Sequence, residues 1–212
     1  MIKWMLAHRG LWRDPSERNA LAALERATQR GYGVETDVRD CLGKPVIAHD
    51  MPAGGETPLP VVLDLCSRTG VPLALNVKAD GMAVTIRDLL KNYPNLDAFC
   101  FDMSVPQLFQ YQKHEIPTFT RASEFETSPV LYDRAKGVWL DCFLTNWYAP
   151  DLIDSFLRDG KKVAIVSSEL HRRCHVRLWT ALREHGFDGR DDLMLCTDIP
   201  DAATEFFGGM HD

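Results

Sequence analysis

The chain has 212 residues, of which 45% are hydrophobic, with 24 Lys and Arg against 30 Asp and Glu, and this composition predicts a soluble globular protein with one sizeable core. A net charge of −6 without clustered basic residues excludes nucleic acid and anionic membrane surfaces as expected partners. No apolar run approaches the roughly 18 residues of a membrane span, and the start MIKWMLAHRG has no leader-like segment, so we expect one domain over residues 1–212, located in the cytoplasm.

Along the chain, short apolar segments alternate with segments of helical periodicity. The predicted strands are residues 2–8, 33–38, 72–78, 98–102, 116–120, 137–141, 162–167 and 193–197. The predicted helices are Glu17–Arg30, Leu59–Ser67, Met82–Asn92, Val105–His114, Ser123–Lys136, Pro150–Arg158, His171–His185 and Pro200–Phe207. Pro129 interrupts the fifth of these helices.

Near-continuous apolar strands predict a parallel sheet that is buried on both faces. Eight strand and helix units predict an α/β fold of the (β/α)8 TIM-barrel type. The alternative is an open, doubly wound sheet, but no glycine-rich phosphate loop follows any predicted strand.

The six cysteines form no CxxC pair, which gives little support for a zinc site or a redox centre. Cys100 and Cys196 lie in apolar runs, where a thiol usually acts as a small buried hydrophobic group. We therefore expect reduced, structural cysteines.

Acidic residues in the second predicted strand are the first chemical signal. Glu35 and Asp37 are two residues apart, so in an extended strand both side chains point to the same face. Inside a barrel these like charges need a counter-charge, which a hard cation such as Mg²⁺ or Ca²⁺ supplies, with the amide oxygen of Asn76 from the next strand as a third ligand. The alternative is that both carboxylates face outward and pair with a basic residue such as Arg39.

Two histidines and two cations accompany these carboxylates. His8 ends the first strand and His49 ends the segment PVIAH, and two imidazoles of near-neutral pKa are suited to general acid and base catalysis. Arg9 and Lys78 are suited to phosphate oxygens. Either histidine alone is more typical of a structural residue, but together with the carboxylates and cations they indicate a site for an anionic substrate.

The segments AHRG, ERNALAALERA, VETDVRD, VIAHD and LNVK resemble the glycerophosphodiester phosphodiesterase family. The family pattern runs HRG, a helix start containing EN, ExD, HD and then ExK. LCTDIPDAA also resembles the family's closing TDxP segment, so the resemblance covers nearly the whole chain. Its specific part lies in the first 80 residues.

Position by position, the resemblance implies three roles. They are an acid/base pair of His8 and His49, ligands of Mg²⁺ or Ca²⁺ from Glu35 and Asp37, and phosphate contacts from Arg9 and Lys78. Asn19 matches the Asn of the EN helix start, although Arg18 separates it from Glu17.

The sequence departs from the family pattern in two places. The Glu of ExK is Asn76 here, which removes one negative charge and weakens the expected affinity for a divalent ion. Asp80 is a candidate for the missing carboxylate. The inserted domain that many members have after HD is reduced to the loop DMPAGGETPLP, so substrate choice would depend on later loops, with Glu169 and His171 as candidates.

These observations predict metal-dependent hydrolysis of a phosphodiester in a small glycerophosphodiester or a lipid-headgroup-like molecule. The alternatives are a non-catalytic barrel that binds phosphate esters and a metal-free phospholipase C-like lyase. The sequence does not determine the oligomeric state.

Overall fold

The computed structural model of this chain describes residues 2–187 and 190–208. In these residues the strands are β1 (Trp4–His8), β2 (Gly33–Cys41), β3 (Lys44–Ile47), β4 (Leu73–Val77), β5 (Ala98–Phe101), β6 (Phe119–Ala122), β7 (Gly137–Leu140), β8 (Lys162–Val166) and β9 (Leu193–Thr197). The α-helices are α1 (Leu21–Gln29), α2 (Leu59–Thr69), α3 (Ala83–Leu90), α4 (Val105–Lys113), α5 (Pro150–Arg158), α6 (Val176–Glu184) and α7 (Pro200–Gly208). None of these helices has the length and apolar character needed to cross a bilayer.

One compact unit comprises Ala7–Thr118. Its sheet has the order β5-β4-β2, with parallel pairing throughout. β3 pairs antiparallel with the second half of β2 through a tight turn at Leu42 and Gly43, whose φ values of 52° and 80° suit a two-residue hairpin. This hairpin brings the chain back along β2, so that Ile47 pairs with Val38.

The second unit comprises the first six residues and Phe119 onward. Its strands β6, β7, β8 and β9 pair in parallel in that order. Every residue of β7 and β9 is buried, as is every residue of β4 and β5 in the first unit. Burial on both faces is the property that the near-continuous apolar runs predicted.

Along the chain the strands follow in the order β1, β2, β4, β5, β6, β7, β8 and β9, with β3 attached to β2 outside this series. Thr118, just before β6, also forms a parallel bridge with Cys100 of β5. Of the eight strands β1, β2 and β4–β9, each except β6 is followed by an α-helix before the next of them or, for β9, at the end of the described residues. This is the architecture of a (β/α)8 barrel, and the predicted fold class is confirmed. The predicted strands agree with the observed ones within three residues at each end, and β3 is additional.

The predicted helix Ser123–Lys136 is wrong. Only a single 3₁₀ turn forms there, at Tyr132–Arg134. Pro129 lacks the N–H that a helix interior requires, and Leu131 has a left-handed φ of 53°, which interrupts any regular helix.

Two other predicted helices begin later than expected, because a left-handed residue lies inside each predicted span. Arg172, with φ of 57°, separates the 3₁₀ turn Ser168–His171 from α6. Asn19, with φ of 63°, lies within the predicted Glu17–Arg30 and precedes α1. A residue in this conformation ends a helical hydrogen-bond pattern.

All six cysteines lie within the described residues and are free thiols. Cys100 and Cys196 are fully buried, as predicted. Burial raises the pKa of the Cys66 thiol to about 12, which makes it unreactive at neutral pH.

The glycine that ends the AHRG segment fixes the contact between β1 and α1. Gly10 has a φ of 89°, and a Cβ at this position would lie 2.7 Å from the carbonyl carbon of Ala23 and 2.9 Å from the backbone nitrogen of Leu24. Only glycine fits this close approach to the helix backbone.

We expect Gly10→Ala to lower the free energy of unfolding by about 3 kcal/mol, because it adds backbone overlap to the left-handed strain. Gly43→Ala is the matched control: its φ is 80°, but nothing lies within 4 Å of the added Cβ, so it should cost only about 1 kcal/mol. Urea denaturation of both variants measures the difference. Equal losses would contradict the proposed close approach.

Candidate active site

Glu35 and Asp37 are buried within β2, with exposed fractions of 1% and 0%. The prediction that both carboxylates face inward is therefore supported over the alternative of a surface pair with Arg39. The side chain of Arg39 instead donates to the backbone carbonyl of His49 at 2.8 Å.

Asn76 lies beside this carboxylate pair because β2 and β4 pair in parallel with Asp37 opposite Asn76. The Asn76 side chain is 8% exposed. The Asn76 Oδ1 and Asp37 Oδ1 atoms are buried acceptors to which no described residue donates a hydrogen bond. Buried oxygen acceptors without donors are an energetic cost that a bound cation or donor would remove.

Arg9 and Lys78 supply positive charge to Asp37. Arg9 Nε lies 2.8 Å from Asp37 Oδ2, and Lys78 Nζ lies 3.6 Å from Asp37 Oδ1. The sequence predicts that a metal ion supplies this counter-charge, whereas the protein itself provides part of it. A metal ion at this site is therefore not required by the burial of Asp37.

The backbone of Arg9 holds its side chain in place. Arg9 has a left-handed φ of 58°, and its N–H donates to the Glu35 carbonyl at 2.9 Å and to Glu35 Oε2 at 3.2 Å. The next turn is fixed by the indole of Trp12, which donates to the His8 carbonyl at 3.1 Å. The AHRG segment thus joins the end of β1 to the acidic segment of β2.

Asn19 has a clear role in the structure. Its Nδ2 donates to Asp37 Oδ2 at 2.9 Å, while its Oδ1 accepts from the Thr36 hydroxyl at 2.8 Å. Its own backbone N–H donates to the Arg9 carbonyl at 3.0 Å. Asn19 therefore positions the Asp37 carboxylate and ties it to the AHRG segment.

His8 lies next to Glu35, with 3.9 Å between His8 Nε2 and Glu35 Oε2. Burial raises the pKa of the Glu35 carboxyl above its ordinary value, and the neighbouring charge of Asp37 adds to this effect. The attraction of His8, Arg9 and Lys78 for the carboxylate opposes the rise without cancelling it.

His49 follows β3 and reaches the site through the hairpin. The N–H of Ala48 donates to the Asp37 carbonyl at 3.1 Å, which fixes the chain beside β2. His49 Nδ1 lies 2.9 Å from Asp50 Oδ1, and its side chain is about half exposed. His49 and Arg9 line one cavity of about 560 Å³, together with Asn19 and the loop after β3.

Most of the predicted site residues thus lie together in the unit Ala7–Thr118. Side-chain contacts connect five of them: His8, Arg9, Glu35, Asp37 and Lys78. Asn76 lies opposite Asp37 in the paired strands, and His49 lines the same cavity as Arg9.

A nearby carboxylate was not identified from the sequence. Asp102 follows β5, and its Oδ2 lies 3.6 Å from Lys78 Nζ. Asp80, the residue suggested from the sequence, instead accepts a hydrogen bond from the Ser104 hydroxyl at 3.1 Å. The position of Asp102 at the carboxyl end of a predicted buried strand is typical of a site residue in such a barrel. Its closeness to Lys78, however, follows only from the pairing of β5 with β4.

The unit from Phe119 onward has a separate polar group at the ends of its strands. His171 Nε2 lies 2.6 Å from Asp141 Oδ1 and belongs to a 3₁₀ turn rather than to the predicted helix. Glu169 accepts from the Thr197 hydroxyl at 2.5 Å and from the Asp198 N–H at 3.2 Å, so it connects β8 to β9.

Among the described residues, Asp151, Asp154 and His185 form a group whose ligand atoms lie within 4.8 Å of one another, but this group is on the surface and His185 is already bonded to Asp154 at 2.7 Å. It has no buried acceptor of the kind seen at Asp37 and Asn76. We assign it no metal.

No protein-family model and no curated protein sequence matches this chain. Solved structures do. A putative glycerophosphodiester phosphodiesterase from Galdieria sulphuraria has a TM-score of 0.75 at 15% identity, with 99% of each chain covered.

A glycerophosphodiester phosphodiesterase from Agrobacterium tumefaciens has a TM-score of 0.69 at 15% identity, covering 98% of this chain and 100% of its own. A putative glycerophosphoryl diester phosphodiesterase from Silicibacter pomeroyi has a TM-score of 0.69 at 13% identity, covering 97% of this chain and 93% of its own. The chain therefore has the fold of these structures over nearly its full length.

Proposed function

We propose that this chain is a metal-dependent phosphodiesterase that hydrolyses a small glycerophosphodiester or a lipid-headgroup-like molecule. The observation that carries the proposal is the set of buried oxygen acceptors on β2 and β4, next to Arg9 and Lys78. The fold shared with solved structures named as glycerophosphodiester phosphodiesterases supports the same reaction class.

Glu35, Asp37 and Asn76 would hold a divalent cation, Mg²⁺ or Ca²⁺. Two carboxylates and an amide oxygen are the hard donors that these ions prefer. The Oδ1 atoms of Asp37 and Asn76 accept no hydrogen bond from a described residue, although the Lys78 ammonium lies 3.6 Å from Asp37 Oδ1. When bound, the ion would polarise phosphoryl oxygens and offset the negative charge of the transition state.

Arg9 and Lys78 would bind the phosphate group. Both side chains are about four-fifths buried and are already held by Asp37, so they are oriented before a substrate enters. Such preorganised cations stabilise developing charge without the cost of reorientation. The cavity of about 560 Å³ beside Arg9 is of the size that small-molecule ligands fill.

His8 and His49 would exchange protons with the attacking and leaving oxygens. The Asp50 carboxylate accepts from Nδ1 of His49, which leaves Nε2 as the nitrogen that can take or give a proton. His8 instead directs its Nε2 toward Glu35, at 3.9 Å from Oε2. These environments differ, which suits one histidine to the acid role and the other to the base role.

We also propose that the protein acts in the cytoplasm on a small molecule and not on nucleic acid. Six free thiols are typical of a reducing compartment, and the net charge of −6 opposes binding to a polyanion.

A second candidate is a metal-free lyase of the phospholipase C type. The observation in its favour is that Arg9 and Lys78 already compensate the charge of Asp37. A third, non-catalytic candidate rests on Asn76, which replaces an expected acidic ligand.

We expect purified protein to hydrolyse members of a glycerophosphodiester panel with Mg²⁺ or Ca²⁺ and to lose this activity when a chelator is added, because the metal would carry part of the transition-state charge. Product release measured with and without the chelator checks this. Turnover that survives the chelator would favour the lyase. Inactivity across the panel with saturable substrate binding would favour the binding module.

We expect His8→Ala and His49→Ala each to lower kcat by about 100-fold or more, because each removes one proton-transfer group. Steady-state kinetics on the best substrate measures the loss. His185→Ala is the matched control, since this histidine contacts Asp154 on a helical surface and should leave kcat unchanged. A variant that keeps wild-type kcat at either position would remove that histidine from the mechanism.

We expect Glu35→Gln to stabilise the metal-free protein at neutral pH. The folded pKa of Glu35 lies above its ordinary value of 4.5, so in the wild type the free energy of unfolding falls as the pH rises from 4.5 through the folded pKa. Gln does not ionise, so the variant does not lose this stability. The difference in the free energy of unfolding between the variant and the wild type should therefore grow as the pH rises above 4.5. Urea denaturation in chelator from pH 4.5 to 8 tests this, and a constant difference across the range would contradict it.

A further inference from the structure

Asp102 is the acidic residue next to the proposed cation site that the family pattern does not assign. Phe101 of β5 pairs with Asn76 of β4, so Asp102 comes directly after the neighbour of Asn76. The side chain of Asp102 is 14% exposed. It is therefore a largely buried carboxylate at the end of the adjacent strand.

The backbone of Asp102 is held in an uncommon conformation. Its φ is 70°, in the left-handed region. Asp tolerates this conformation better than most residues other than glycine, because its short side chain can form local hydrogen bonds. The Asp102 carboxylate lies beside Lys78.

Lys78 connects Asp102 to the acidic pair of β2. Its Nζ lies 3.6 Å from Asp102 Oδ2 and 3.6 Å from Asp37 Oδ1. Both carboxylates thus lie in the first layer of groups around one ammonium. Asn76 lies in β4 two residues before Lys78, which follows the strand, and no described residue donates a hydrogen bond to its Oδ1.

The charges of these groups bear on the affinity for a cation. Glu35 and Asp37 alone are balanced by Arg9 and Lys78, which leaves little attraction for a divalent ion. Asp102 adds a third carboxylate beside these two cations. Affinity for Ca²⁺ and Mg²⁺ rises with the number of carboxylates at the site.

We propose that Asp102 compensates for Asn76, acting with Glu35 and Asp37 as the third carboxylate of the divalent cation site. The proposal rests on the proposed function in one respect, which is that this site binds Mg²⁺ or Ca²⁺. The acidic group expected on β4 is then supplied by β5, one strand further along the sheet.

The first test is a titration of the full chain with Ca²⁺ and with Mg²⁺ by isothermal titration calorimetry, with the thermal shift on adding metal as a second readout. We expect Asp102→Asn to weaken the metal Kd by about tenfold or more, because one carboxylate is lost. Asp80→Asn is the matched control, an exposed carboxylate bonded to Ser104, and should change Kd less than about twofold.

A second test is rescue. In the Asp102→Asn background, Asn76→Glu returns a carboxylate to the site and should restore the wild-type Kd to within a few-fold. Asn accepts a left-handed backbone, so Asp102→Asn should fold, and Asp102→Gly provides the same comparison if it does not.

The outcomes separate this inference from the proposed function. Metal binding in the wild type that is equally tight in Asp102→Asn overturns the inference alone. A change in KM without a change in metal Kd also overturns it, since Asp102 would then only position Lys78. A wild type that binds no metal overturns both, whereas one that binds metal through Asp102 but hydrolyses no diester leaves the inference standing and removes the function.

Discussion

The burial of two carboxylates side by side in β2 is the constraint on which the site depends. Glu35 and Asp37 are almost fully removed from water, and each would be costly to ionise without compensation. Asp37 forms ion pairs with Arg9 and Lys78 and accepts a hydrogen bond from Asn19. Its negative charge is therefore better compensated than that of Glu35. Burial raises the pKa of the Glu35 carboxyl, and the attraction of His8, Arg9 and Lys78 opposes this rise.

The backbone around these carboxylates is shaped to deliver the compensating groups. Arg9, Gly10 and Asn19 all have positive φ values, so the segment between β1 and α1 folds back on itself and reaches Asp37 from two points. Gly10 allows the close approach to α1 that this path needs. The hairpin of β2 and β3 places a further site residue. The hydrogen bond from the Ala48 N–H to the Asp37 carbonyl holds the chain after β3 beside β2, and His49 then lines the cavity beside Arg9.

The distribution of positive and negative groups gives the site two distinct properties. Arg9 and Lys78 are positioned for an anionic ligand, while the Oδ1 atoms of Asp37 and Asn76 are positioned for a cation or a donor. A phosphodiester with a bound metal ion would satisfy both requirements at once, which neither a simple anion nor a lone cation would do. The Asp102 carboxylate shifts the balance toward the cation.

The sequence by itself determined the alternation of strands and helices, the common face of Glu35 and Asp37 on their strand, and most of the residues that meet around them. These follow from local periodicity and from motif segments spread over the first 80 residues. It did not determine the left-handed residues that shorten the helices near Asn19, Leu131 and Arg172, because the conformation of a single non-glycine residue depends on its surroundings.

Only the tertiary structure decided how the acidic pair is compensated. The contacts of Asp37 with Arg9 and Lys78 join residues far apart in sequence, and the place of Asp102 depends on β5 being next to β4. Local periodicity identifies a strand and its buried face, but the choice of neighbouring strand depends on segments that are distant along the chain. For the same reason Asp80, two residues past Lys78 in the chain, lies with Ser104, while the more distant Asp102 lies with Lys78.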